Sequence, residues 1–347
     1  MTPSGEPATT GAARFGVASM ANTPIGELAD RAGKLEAAGF DQLWLADERL
    51  LRNVYVGLAA MATGTRSSRI GPSVTNPYTR HPALTAAAIA TVDELSGGRA
   101  VLALGAGGGL EQLGIDRASP VSALREATEI IRRLTAGEKL TYAGRHFTVN
   151  GAQLNFPWQR QVPVYIAARG PRILELAGEV ADGVIIGGFA QPPGLAYAKD
   201  QVARGLERSG RGWDDIDVVA WLYTCVSEDR EAARRAVSRM VMASVITSRT
   251  ILDRLGIVLP AELAERVARG GWTYAEDEML AAARLLPEEV IEAFAVYGTA
   301  QECARRLREI RIAGARQLAF VVLPGAGMTW DEVAMRIAGE VLPLVTA

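Results

Sequence analysis

Histidine and cysteine are almost missing from this chain: two of each in 347 residues, His81, His146, Cys225 and Cys303. So few donors, without metal-like spacing, give no basis for a metal site, and none is expected. The two thiols read as packing residues of a reduced, cytoplasmic protein. No apolar run approaches the length of a membrane span. Residues 1–13 are small and polar, lack the apolar core of a signal peptide, and read as a disordered leader. Charge of one sign is nowhere concentrated, and the formal net charge is −2, which speaks against a nucleic-acid or anionic-membrane partner. What is present is ordinary: 49% hydrophobic and 22% charged residues, a globular composition. The length allows two average domains or one large α/β barrel with an insertion.

Apolar strands and amphipathic helices alternate along the chain. Short strands are expected at 14–19, 42–47, 69–75, 99–107, 162–169, 182–188, 218–227 and 316–324, with a small hairpin over 140–149. Leu28, Ala32 and Leu35 recur at helical spacing between the first two strands, with Gly39 placed to end that helix. Eight such units predict an α/β fold, a (β/α)8 TIM barrel, in one domain over 14–347. A doubly wound open sheet is the rival that pattern alone leaves open. The roughly ninety residues between the seventh and eighth strands exceed one helix and its loops. A helical insertion is expected there, over about 228–295, as a lid, as extra packing or as an oligomer contact.

A barrel carries its chemistry at the carboxyl ends of its strands. Those ends hold Ser19, Asp47, Thr75, Asn76, Gly105, Ala106, Gly107, Ala168, Arg169, Gly170, Gly187 and Gly188. The set is glycine-rich and poor in nucleophiles and metal ligands. It suits a large flat small-molecule ligand laid against backbone. "ARGPRILEL" places a helix N-terminus after a strand, where unpaired N–H groups and the helix dipole attract an anion. An ordinary βα turn has the same glycines. "ALGAGGG" lacks the full dinucleotide fingerprint. Asp47 suits a ligand-binding or proton-holding carboxylate, and equally a cap on the next helix or a partner of Arg49 or Arg52. His81, before Pro82, reads as a satisfied helix-start residue. Glu111 reads as a loop residue and Asp93 as a surface or salt-bridge residue. The stretch "GPSVTNPYTRHP" (71–82) puts Pro72, which has no N–H for a ladder, near the end of a strand that should be buried.

"GPSVTNPYTRHPALTAAAIATVDELSGGRAVLALGAG" (71–107) resembles the luciferase-like monooxygenase superfamily, and within it the deazaflavin-dependent branch typified by methylene-tetrahydromethanopterin reductase. "GFDQLWLADE" (39–48), "VPVYIAARGPRILELAGEVADGVIIGG" (162–188) and "YGTAQECARRL" (297–307) fit the same superfamily in the same order. The resemblance implies a barrel with an insertion after the seventh strand and coenzyme F420, or alternatively FMN, at the strand ends. It implies a bulged third strand with a cis peptide at Ser73–Val74, forming a backbone shelf under the flat ring. Asp47, Thr75, Asn76 and Gly105, Ala106 and Gly107 would then surround the ring, and Ala168, Arg169, Gly170, Gly187 and Gly188 would hold the phosphate. The activity implied is hydride transfer between reduced F420 and an electron-poor C=N or C=C bond, with Asp47 and then Glu111 as candidate catalytic residues. An FMN-dependent monooxygenase and a non-catalytic cofactor-binding relative are the alternatives. A homodimer is implied. One position departs: the glutamate that methylene-pterin reductases carry in the first strand corresponds here to Ala18.

Overall fold

The computed structural model describes residues 13–48, 50–158, 160–269 and 276–346; apart from Ala13, the expected leader lies outside the described residues. In chain order the elements are β1 (Arg14–Ser19), α1 (Ile25–Ala37), β2 (Gln42–Leu45), α2 (Val54–Gly64), β3 (Arg69–Pro72), α3 (Pro82–Ser96), β4 (Leu102–Leu104) and α4 (Pro120–Thr135). The hairpin β5 (Leu140–Ala143) and β6 (Thr148–Ala152) precedes β7 (Val164–Ala168), α5 (Pro171–Val180), β8 (Gly183–Gly187) and α6 (Pro192–Ser209). Then come β9 (Asp217–Val226), α7 (Arg230–Thr247), α8 (Ala261–Arg269), α9 (Glu276–Ala283), α10 (Glu288–Phe294), β10 (Ala295–Gly298), α11 (Ala300–Ile312), β11 (Gln317–Val322), α12 (Trp330–Arg336) and α13 (Leu342–Thr346).

Hydrogen bonding orders the main sheet β3-β2-β1-β11-β9-β8-β7-β4. Parallel bridges Ile70↔Ala100 and Thr75↔Leu104 then join its two end strands. The eight strands follow one another in sequence around this order, with helices between them, and the fold is a (β/α)8 barrel. Two features were not anticipated. The sequence reading assigned no element to 189–217, where α6 lies. Helices α7 to α10 fill the stretch read as helical, but it ends in β10, which adds to β9 in parallel with Ala295 opposite Tyr223. No turn residue separates Phe294 from Ala295, so four strand residues hide behind a helical pattern.

Contacts divide the chain into two compact units. One comprises Ala18–Ile185 and Val202–Asp217, and so holds all of β2, β3, β4 and β7 with α1 to α5. The cores of its strands are apolar: Leu43, Trp44, Leu45, Ile70, Leu102 and Ala103 are fully buried. Arg99 fixes the starts of β3 and β4, donating to the carbonyls of Ala62, Thr65, Ser68 and Ser96 and to the Thr65 hydroxyl. Asp93, read as a surface or salt-bridge residue, is 1% exposed and so not at the surface; its Oδ1 accepts from the Ala100 N–H at 2.8 Å, and its Oδ2 makes the salt bridge, 3.5 Å from Arg160. The other unit comprises the chain up to Val17, Ile186–Gln201 and Val218–Ala347. There Arg230 of α7 binds Glu288 and Glu292 of α10 and Glu302 of α11, and so ties three helices together.

One carboxylate of the first unit is held strongly charged by backbone amides. Glu36, near the end of α1, accepts the N–H groups of Arg66, Ser67 and Ser68 at 2.6–3.1 Å. Burial works to raise its pKa, but the three amides outweigh it and hold the group at about 2, against 4.5 ordinarily. A depressed carboxylate stabilises the fold above its unfolded value, and that contribution fades as pH falls toward the folded one. Glu36→Ala is expected to lower the thermal midpoint by about 2–4 °C at pH 7. The difference from wild type should shrink below pH 4.5; a difference constant down to pH 3 would show that the amides do not hold the charge.

Candidate active site at the strand ends

The end of β3 explains its proline. From Ile70 to Thr75 the chain advances five residues while β4 advances four, Ala100 to Leu104, between the same two bridges. β3 therefore carries one extra residue, a β-bulge. Ser73 still donates to Leu45 of β2 at 2.8 Å, whereas Thr75 donates to Ala103 of β4 at 3.0 Å and accepts from the Gly105 N–H at 2.8 Å. Pro72 lies inside the bulge, where the ladder toward β4 is already interrupted and an N–H is not needed. The Ser73–Val74 peptide is cis. Two glycines leave room for this path. A Cβ on Gly71 would come within 2.3 Å of the Val101 carbonyl, and one on Gly105 within 2.5 Å of Val74 Cγ2.

Asp47 follows β2 and is half-buried. The simpler readings of this residue are answered by its neighbours. The next helix is capped by Asn53, whose side chain accepts from Tyr55 and Val56, and Arg52 donates to the Asn22 carbonyl at 2.6 Å; Arg49 lies outside the described residues. The groups that favour the charged form of Asp47 are instead the Thr75 hydroxyl and the charge of Arg80. Burial raises its pKa above the ordinary 3.8, and Thr75 and Arg80 offset only part of that rise. Beside it lies Tyr55 of α2, pushed up to about 12 by burial and by the Asp47 charge. The Tyr55 hydroxyl lies close to those of Thr85 and Thr75, yet among the described residues it makes no hydrogen bond of good geometry. The Arg80 guanidinium stacks 5.1 Å over the Tyr55 ring.

The loop after the bulge is folded by its own side chains. Asn76 Oδ1 accepts the N–H groups of Tyr78 and Thr79 at 2.9 and 3.0 Å, an Asx turn. Tyr78 donates to the Ala118 carbonyl at 3.1 Å and Arg117 to the Gly107 carbonyl at 2.7 Å, which joins the loops after β3 and β4. Gly105 is buried, Ala106 and Gly107 are partly exposed, and Gly107 has φ +75°. Glu111 is exposed on a single 3₁₀ turn over Leu110–Leu113 and is not among the groups facing Asp47. His81 caps α3, its Nδ1 accepting from the Ala83 N–H at 3.2 Å, as its position predicted.

Ala168, Arg169 and Gly170 run from β7 into α5, with Ala168 and Arg169 partly exposed and Gly170 exposed. Gly170 is the N-cap of α5 and makes no side-chain cap bond, and a Cβ placed there would meet nothing within 4 Å. In the other unit, Gly187 ends β8 and Gly188, with φ +71°, donates to the Trp221 carbonyl at 2.9 Å. Cys225 and Cys303 are buried, and burial pushes their pKa values to about 11 and about 12, which suits packing rather than chemistry. Among the described residues no cluster of His, Cys, Asp and Glu is suited to a metal ion, and no helix is long and apolar enough to cross a membrane.

Sequence reasoning found Asp47, Thr75 and the bulge, but not Tyr55, Thr85 or Arg80. Arg80 lies inside the segment already singled out. Tyr55 and Thr85 were discoverable only as polar residues in helices otherwise built of small and apolar ones, and that signal does not say which neighbour they meet.

The strand ends thus offer an uncapped helix start, a run of glycines and, among the described residues, a buried hydroxyl without a hydrogen bond of good geometry. Known proteins resemble this chain over most of its length. The chain is 38% identical over 309 residues to the 5,10-methylenetetrahydromethanopterin reductase of Archaeoglobus fulgidus, covering 88% of this chain and 92% of that protein. It is 34% identical over 311 residues to the enzyme of that name from Methanolobus tindarius, with the same shares covered. The solved coenzyme F420-dependent tetrahydromethanopterin reductase of Methanopyrus kandleri superposes with a TM-score of 0.84 at 27% identity, over 96% of this chain and 99% of that one. The model of the luciferase-like monooxygenase family matches residues 8–317, and the chain belongs to that family.

Proposed function

We propose that this protein is a coenzyme F420-dependent oxidoreductase that transfers a hydride to an electron-poor C=N or C=C bond of a small molecule, with a methylene-tetrahydropterin as the model acceptor. One observation carries the reading: the bulge of β3 abuts the glycine end of β4, beside the half-buried Asp47, in a chain similar along most of its length to F420-dependent reductases. Reduced F420, when bound, supplies the hydride.

The chain's own groups meet three needs of such a reaction. The backbone of Ser73 and Val74 offers a flat surface for a ring, and the buried Ser73 hydroxyl, without a partner among the described residues, is available to hydrogen-bond it. Thr75, Asn76, Gly105, Ala106 and Gly107 frame that surface. The N-terminus of α5, with Ala168, Arg169 and Gly170, suits a phosphate, and Gly187 and Gly188 belong to the same reading. Hydride addition to C=N or C=C also requires a proton at the second atom. Ala18, in the first strand, has no proton to give. Asp47 holds one to a higher pH than an ordinary aspartate, and is the proton-holding residue of this reading; Glu111 is the weaker candidate. A homodimer in the cytoplasm completes the reading.

The first test is equilibrium titration with F420 and, separately, FMN, followed by fluorescence. Tight binding of F420 alone is expected; a preference for FMN would move the protein to oxygen-using chemistry, and binding of neither would remove the cofactor reading. The second is Asp47→Asn. Its kcat is expected to fall by about 100-fold or more while F420 affinity changes little. In wild type the rate should fall as pH rises through the ionisation of Asp47. Wild-type turnover by the variant would take Asp47 out of the mechanism.

A further inference from the structure

Arg80 is a partly buried cation whose hydrogen bonds are unspent. Two other partly buried arginines of the same compact unit are well bonded. Arg99 donates to four carbonyls and a hydroxyl, and Arg211 to the carbonyls of Gly178, Ala181 and Asp215. Among the described residues Arg80 makes no hydrogen bond and no ion pair; its guanidinium lies 5.1 Å from the centre of the Tyr55 ring instead. A guanidinium has five N–H donors, and taking it out of water without partners is costly. The ring beneath it is fixed, since Tyr55 is only 9% exposed. Both residues belong to the strand-end side of the barrel. Tyr55 lies in the first turn of α2, which follows β2, and Arg80 stands two residues before α3, which follows β3. The Asn76 turn before Arg80 and the His81 cap after it fix the backbone on either side. Asp47 and Tyr55 are the titratable groups within its field, and its charge is spent on neither in an ion pair.

A planar donor fork that is held in place and unpaired suits an oxygen that carries negative charge. We propose that Arg80 is a cofactor-binding residue: its guanidinium, stacked on Tyr55, donates to a negatively charged oxygen of bound F420. F420 carries such oxygens in two places. Its tail holds phosphate and carboxylates. Its ring holds a hydroxyl that is conjugated to a carbonyl and is therefore acidic. The ring is the expected source. It is read on the bulge of β3, which leads directly into the loop of Arg80, whereas the phosphate is read at the start of α5, after β7. In barrel order β4 lies between β3 and β7. This inference deepens the proposed function and rests on its cofactor.

The test needs no substrate. Fluorescence titrations measure the affinity of wild type, Arg80→Gln and Arg80→Lys for F420 and for its deazaflavin riboside, which has the same ring without phosphate or carboxylate. Thermal midpoints of the cofactor-free proteins show whether each variant is folded. Absorbance of bound F420 against pH reports the ionisation of the ring hydroxyl. Arg80→Gln is expected to weaken both ligands by about tenfold or more. It should also move the ring ionisation to higher pH, because a neighbouring cation favours the charged form. Arg80→Lys keeps the charge without the planar fork and should lie between. Weakening of F420 alone would place the contacted oxygen in the tail. Unchanged affinities would overturn the proposal. So would weakening of both ligands without the spectral shift, because a residue that merely packs the site alters affinity and not the acidity of the ring. If the wild type binds neither ligand, the cofactor reading itself falls, and this one with it; if it binds both as well as Arg80→Gln does, only the role of Arg80 falls.

Discussion

A strand that lies between two neighbours of different register must change step, and in this barrel β3 does so within four residues. Ser73 is still bonded to β2, while Thr75 is already bonded to β4. The extra residue is what brings Thr75 to Asp47 and leaves the Ser73–Val74 peptide outside the regular ladder. Nearly every feature of the surrounding sequence follows from accommodating that step. Pro72 occupies a position that has lost its ladder bond. Gly71 lets the Val101 carbonyl approach, and Gly105 leaves space for the Val74 side chain. Asn76 then turns the chain away through its own side chain rather than through a ligand.

The electrostatics of the site follow from the same packing. Asp47 is neither fully solvated nor matched by an ion pair among the described residues. Burial dominates its proton affinity, with one hydroxyl and one displaced cation acting against it. A close salt bridge would have held the carboxylate charged across the working pH range. Arg80 is instead held over Tyr55. Such a carboxyl keeps its proton to a higher pH than an ordinary aspartate, whereas Glu36, bound to three amides, stays charged to a lower one. The two acids show how the number of hydrogen-bond donors around a carboxylate decides the direction in which its pKa moves.

The strand ends were legible in sequence because each closes an apolar run with small or polar residues, so Asp47, Thr75, Gly105 and Gly170 could be named without coordinates. The interrupted ladder of β3 was legible because proline has no N–H. Tyr55 and Thr85 were not, since a helix pattern tells which face is buried but not which strand end it meets. Strand β10 was missed because Ala295–Gly298 continues the apolar character of α10, and only pairing with β9 distinguishes it. Asp93 forms the salt bridge that was one of its two readings, but its burial was missed for a related reason. An acidic pair at the end of a helix usually faces water, but here the start of β4 supplies the Ala100 N–H that pays for its burial.

By itself the sequence determined the alternation of strands and helices, the eightfold count, and the glycine-rich, metal-poor character of the strand ends. These depend on local periodicity and on backbone properties of individual residues, which need no knowledge of distant neighbours. The tertiary structure alone decided that Asp47 is served by Thr75 rather than by Arg52, that Arg80 stacks on Tyr55, and that the tyrosine hydroxyl is buried without a good hydrogen bond among the described residues. Those outcomes depend on which elements the barrel order places side by side, and on how far burial weakens the hold of water on each polar group. Neither is a property of any short stretch of chain.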